Sequence, residues 1–118
     1  MKQQRRVDLY LLDMITSIER IIQYTQGLHF ESFQKNFMVV DAVARNFEII
    51  GEAARKIPID LQERHQGVPW DKMYRLRNIV SHAYFEVDHE TLWEIITRDL
   101  PKNGEDLKEI LKKEFPQQ

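Results

Sequence analysis

The chain has 118 residues, 42% of them apolar and 31% charged, with a formal net charge of −2 and a pI near 6.1. A chain of this size buries roughly two-thirds of its unfolded surface around a single core, so residues 1–118 are read as one domain. The balanced charge argues against a protein that coats nucleic acid by bulk electrostatics but leaves room for a local basic pocket, and the absence of cysteine excludes a disulfide framework, a thiolate nucleophile and a zinc ribbon.

No apolar run approaches the length needed to span a bilayer, and the basic start MKQQRRV leads into an amphipathic segment rather than a signal-type apolar stretch. The expectation is a cytoplasmic, unprocessed protein with no membrane partner. From Arg5 to Leu28, Val7, Leu11, Met14, Ile15, Ile18, Ile21 and Ile22 recur at three- and four-residue steps with charged residues mostly between them, which predicts a long amphipathic helix. Gly27 and LHFES interrupt it. Ser32 then caps a second long helix running to about Lys56, with Phe33, Phe37, Val40, Val43, Ala44, Phe47, Ile50 and Ala54 as its inner stripe. Gly51 inside this helix costs about 1 kcal/mol relative to alanine and points to close approach by a neighbouring helix.

Pro58 ends that element, and PIDLQERHQG reads as one or two helical turns closed by Gly67 in a left-handed cap. Pro69 opens the helix WDKMYRLRNIVSH, with Trp70, Met73, Leu76 and Val80 on its buried side. After a boundary at YFEVD, Asp88 caps HETLWEIITRDL, anchored by Leu92, Trp93, Ile95 and Ile96, and Pro101 and Gly104 kink or break the chain before the amphipathic EDLKEILKKEF. Period-two alternation is not sustained anywhere. The expected fold is therefore all-α, an up-and-down bundle of four principal helices with an additional short one.

Few residues carry chemistry. The histidines at 29, 65, 82 and 89 match no metal-binding spacing. HETLW resembles the start of a helical zinc-protease signature, but Trp93 stands where the second histidine belongs, so no metal site is expected. The glycines at 27, 51, 67 and 104 form no phosphate loop and are assigned to caps, turns or packing. Gln3, Gln4, Arg5 and Arg6 read as a solvated helix start. Nor is a cofactor expected.

There remains RNIVSHAY, residues 77–84, with Arg77, Asn78, His82 and Tyr84. Five residues turn an ideal helix through roughly 140°, so Arg77 and His82 point to different sides, while Arg77 and Tyr84 nearly align. Convergence requires the helix to loosen near His82, or a second copy to supply opposing groups across a two-fold axis. Such a cleft suits RNA cleavage by internal transesterification: a histidine moves the 2′-hydroxyl or 5′-oxygen proton, and an arginine fork meets the growing phosphorane charge. The plain structural alternative is an ion-paired Arg77, a His82 cation at a helix C-terminus and a Tyr84 covering the core.

The stretch RNIVSHAY, together with NFEIIGEAARKIP, PWDKMYRLRN and VDHETLWEII in the same order, resembles the HepT-type toxins of the HEPN superfamily, partners of MNT-type minimal nucleotidyltransferase antitoxins. The resemblance implies a helical bundle that dimerises with its motif helices face to face and cleaves tRNA or mRNA without a metal. It makes Arg77 and His82 catalytic, Asn78 the supporting polar position, and Tyr84 the hydroxyl to which the antitoxin attaches AMP. The competing expectation is a non-catalytic helical adaptor, or a nucleotide-binding partner of a minimal nucleotidyltransferase, since family membership alone does not guarantee catalysis.

Overall fold

The structure is a computed structural model that describes residues 6–81 and 88–117. The described residues are all-helical apart from their turns. They form α1 (Val7–Thr25), α2 (Phe30–Lys35), α3 (Phe37–Arg55), α4 (Ile59–Arg64), α5 (Trp70–Ser81), α6 (His89–Glu94), a π-helical turn (Ile95–Asp99) and α7 (Leu100–Glu114). The expected bundle is present: α1, α3, α5 and the continuous α6–π–α7 rod are its principal members, with α3 packed between α1 and α5, and α7 along α1. Beside them stand two short helices, α2 and α4, where the sequence had suggested one.

The core is built from the anticipated stripes. Leu11, Met14, Ile15, Ile18 and Ile21 of α1 meet Val43, Phe47, Ile50 and Ala54 of α3, and Trp70, Met73 and Leu76 of α5 close that side. Ile22, placed on the α1 stripe by spacing, is exposed instead. The side chain of Val80 lies outside the described residues, as does Arg5, and α1 begins at Val7 rather than Arg5 and stops at Thr25 rather than Leu28. Gly27 has φ of 81°, a left-handed conformation open to glycine at no steric cost, and it turns the chain away from α1.

Three expected boundaries are revised. The long second helix is two helices. His29, not Ser32, is the N-cap of α2; Ser32 sits three residues on, its Oγ accepting from the His29 N–H at 3.0 Å. α2 ends at Asn36, whose side chain accepts from the Val39 N–H at 3.1 Å and starts α3 afresh. The break rotates Phe37 off the inner stripe, leaving it 74% exposed while Phe33 is fully buried.

Second, Gly67 is not in a left-handed conformation. The turn after α4 falls at His65, whose ring lies 2.6 Å from Glu114 Oε2 and whose carbonyl accepts from Trp70 Nε1 at 3.0 Å. Third, Pro101 and Gly104 neither kink nor break the last rod. The π turn immediately ahead, closed by the Leu100 N–H on the Ile95 carbonyl, lets Pro101 enter α7 at its first turn, where a missing N–H costs nothing.

Arg64 also bonds Glu114, Nη2 to Oε1 at 2.9 Å, so α4 is tied to the end of α7 by an Arg64–Glu114–His65 cluster. These bonds, Arg64 first and His65 second, hold the Glu114 carboxyl well below its ordinary value, at about 2. A depressed carboxylate contributes stability that is complete above its unfolded pKa, near 4.5, and is lost as pH falls toward about 2. The thermal midpoint of the wild type is therefore expected to fall more steeply between these limits than that of Glu114→Gln, and parallel curves from differential scanning fluorimetry across that window would rule the linkage out.

Candidate active site

Helix α5 forms because Pro69 pre-sets its first turn and Trp70, Met73 and Leu76 recur at helical spacing on its inner face. That phase puts Arg77 at the seam with α3 and leaves Asn78 exposed beside it. The seam is unusually close at this point. A Cβ on Gly51 of α3 would stand 2.6 Å from the Arg77 Cβ, 2.8 Å from the Tyr74 carbonyl oxygen and 2.9 Å from the Arg77 backbone nitrogen. Gly51 is thus explained as the close approach its place in the sequence suggested, and the residue it accommodates is the arginine of the motif.

The next residue on α3 completes the arrangement. Glu52 Oε1 lies 2.8 Å from Arg77 Nε, with the two side chains 49% and 39% exposed. Arg77 is therefore held at one edge of its guanidinium while part of it still meets solvent. Nothing in the sequence singled out Glu52; the available signal was an acidic residue directly following a glycine already marked as a helix contact.

His82 and Tyr84 lie outside the described residues, so the structure places two of the four motif residues, Arg77 and Asn78, as neighbours on the last turns of α5. On the far side of the motif the chain is secured again at Asp88. Its Oδ1 accepts from the Glu90 and Thr91 N–H groups at 3.0 and 3.3 Å, and Thr91 Oγ1 donates to Oδ2 at 2.8 Å. These bonds, the Thr91 hydroxyl first, lower the Asp88 carboxyl below its usual range. The first turn of α6 is also fixed by aromatic contacts: the fully buried Phe33 of α2 has its ring 5.1 Å from Trp93 and 6.3 Å, edge-on, from His89. His89, one of the histidines considered as a metal ligand, is thereby a packing residue.

Among the described residues no group of three or more His, Cys, Asp or Glu side chains is disposed to hold a metal ion. No described helix is long and apolar enough to cross a membrane.

Comparison with known proteins covers the same ground. The profile of the HepT-like ribonuclease family, described as ribonuclease HepT-like, matches residues 14–114. A candidate RNase of Methanocaldococcus jannaschii is 41% identical over 99 residues, spanning 84% of this chain and 91% of its own. A candidate RNase of Caldanaerobacter subterraneus subsp. tengcongensis is 36% identical over 105 residues, 89% of this chain and 94% of its own. A protein of Thermococcus cleftensis named as a candidate ribonuclease HepT is 41% identical over 92 residues, 78% of this chain and 84% of its own. No solved structure gives a significant match. With a profile match that begins within α1 and ends at the last residue of α7, and so takes in the seam where Gly51 admits Arg77, the chain belongs to the HepT-like ribonuclease family.

Proposed function

We propose that the protein is the toxin of a HEPN/MNT toxin–antitoxin pair, a metal-independent endoribonuclease of the cytoplasm that acts on tRNA or mRNA as a homodimer. One histidine, His82 of either subunit, takes the proton of a ribose 2′-hydroxyl. The 2′-oxygen then attacks the adjacent phosphorus, and a second His82 protonates the departing 5′-oxygen, leaving a 2′,3′-cyclic phosphate. Arg77 stabilises the charge that gathers on the non-bridging oxygens, and Asn78 supports it by hydrogen bonding. Tyr84 is the control point: AMP attached there by a nucleotidyltransferase antitoxin adds bulk and negative charge that repel an RNA backbone.

The observation that carries this reading is Arg77 itself, fixed by Glu52 on α3 yet part-exposed, in a chain whose family is that of HepT-like ribonucleases. The test is cleavage of RNA in the presence of EDTA. The wild type is expected to cut, and His82→Ala and Arg77→Ala to lose on the order of 10²- to 10⁴-fold in rate with helix content unchanged by circular dichroism. Undiminished cutting by His82→Ala would remove that residue from the mechanism. In the same preparation, incubation with ATP and the antitoxin adds the mass of AMP to the wild type and none to Tyr84→Phe.

A further inference from the structure

The contact between Glu52 and Arg77 is made at Nε, 2.8 Å from the carboxylate oxygen. An arginine presents two edges to an anion: the side, formed by Nε–H with one Nη–H, and the end, formed by the two Nη groups. A carboxylate at Nε occupies the side and leaves the end for a phosphate. The stem of the same arginine is fixed independently, because Gly51 brings the α3 backbone against the Arg77 Cβ and backbone nitrogen. Neighbouring residues of one helix thus restrain both ends of one side chain, Gly51 its root and Glu52 its head. Left alone, a side chain 39% exposed would sample many rotamers, and the donors of a transition-state clamp are effective only when already in place.

We propose that Glu52 is a positioning residue for RNA cleavage: it holds the Arg77 guanidinium by Nε so that its end-on pair of donors faces the scissile phosphate. This rests on the ribonuclease reading above and adds to it a residue outside the RNIVSHAY stretch. Glu52 does not touch the substrate and takes no proton. Its effect belongs to the chemical step, because RNA bound elsewhere along the chain does not depend on the orientation of one guanidinium.

The experiment uses the full-length protein and a short RNA, with kcat and KM measured for the wild type, Glu52→Ala, Glu52→Gln, Arg77→Ala and the double variant Glu52→Ala/Arg77→Ala, each checked for helix content and Tm. The expected result is a fall in kcat of on the order of 10²-fold for Glu52→Ala with KM little moved. Glu52→Gln, whose amide oxygen still accepts from Nε, recovers much of that loss. The double variant is no slower than Arg77→Ala, since the glutamate acts through the arginine. Cleavage by the wild type that depends on Arg77 but is unaffected or accelerated in Glu52→Ala overturns the proposal and leaves the ribonuclease standing; acceleration would mean that the carboxylate competes with phosphate. A fall in Tm with kcat and KM unmoved at a temperature where all variants are folded also overturns it, reducing the pair to a structural tie. Absence of cleavage by the wild type, or full activity in Arg77→Ala, removes the underlying reading and the proposal together.

Discussion

Replacing Gly51 by alanine is expected to destabilise the protein although it removes a glycine from the interior of a helix. On propensity alone the substitution favours α3 by about 1 kcal/mol. Against this, the added methyl would lie 2.6 Å from the Arg77 Cβ, and its next two obstacles, at 2.8 and 2.9 Å, are backbone atoms of α5. Backbone cannot rotate away as a flexible side chain does, so the helices must separate along the seam. Overpacking of this kind costs about 1–3 kcal/mol, and more where backbone has to move. A net loss of about 2 kcal/mol lowers Tm by roughly 6–12 °C in a domain of this size, at about 3–6 °C per kcal/mol. Cleavage should fall further than the unfolded fraction explains, because the displaced backbone is that of Arg77. Gly104→Ala is the natural comparison: the nearest obstacle is a methyl of Ile18 at 3.2 Å, which can yield by a few tenths of an ångström. Urea denaturation of the two variants should separate them clearly, and a Tm for Gly51→Ala at or above that of the wild type would mean that the seam is looser than its distances indicate.

The bundle was legible in the sequence where one physical signal acted alone. The apolar stripes of α1, Ile22 apart, and of α5 as far as Leu76 follow the helical period, Pro69 and Asp88 carry the local chemistry of a helix start, and Gly51 stands out because an interior glycine needs a reason. Legibility failed where two signals competed. Phe33 and Phe37 are four residues apart and read as one stripe, yet Asn36 between them caps a new helix, and a side-chain bond to the Val39 N–H decides the outcome. At Pro101 the sequence announces a missing donor without saying how the chain absorbs it; the π turn over Ile95–Asp99 supplies the extra residue. Gly67 reads as the turn residue, but the turn falls at His65, fixed by the distant Glu114, which no local pattern reveals, and by the Trp70 indole five residues on.

Half of the candidate site follows the same division. The motif pointed to Arg77 and Asn78, which lie together near the end of α5, whereas the group that orients Arg77 comes from another helix and leaves no periodic trace. Ion pairs between helices depend on which faces meet and at what height, and those are consequences of packing rather than of spacing along one segment.

Phe33→Ala is expected to have the largest effect on stability of any substitution outside the principal helices. α2 is only six residues long, too short to persist without tertiary support, and the fully buried Phe33 is its anchor, packed against Trp93 and edge-on to His89. Removing such a ring from a core costs about 3–5 kcal/mol, a large share of the roughly 5–15 kcal/mol that holds a domain of this kind together. Phe33→Leu keeps most of the volume and should cost less, losing chiefly the aromatic contacts, worth about 0.5–1.5 kcal/mol each. Phe37→Ala, four residues on and 74% exposed, should change stability by no more than about 0.5 kcal/mol. Equal losses for Phe33→Ala and Phe37→Ala in urea would mean that the helix break at Asn36 is misplaced and that one continuous stripe exists after all. The consequence for function is specific, because Phe33 secures the first turn of α6, the element that follows residues 82–87 and with them His82 and Tyr84. On the proposed function, loosening that turn leaves Arg77 tied to α3 while freeing the helix start that follows residues 82–87. Phe33→Leu, assayed where it is fully folded, should therefore lose cleavage with the Arg77–Glu52 pair intact.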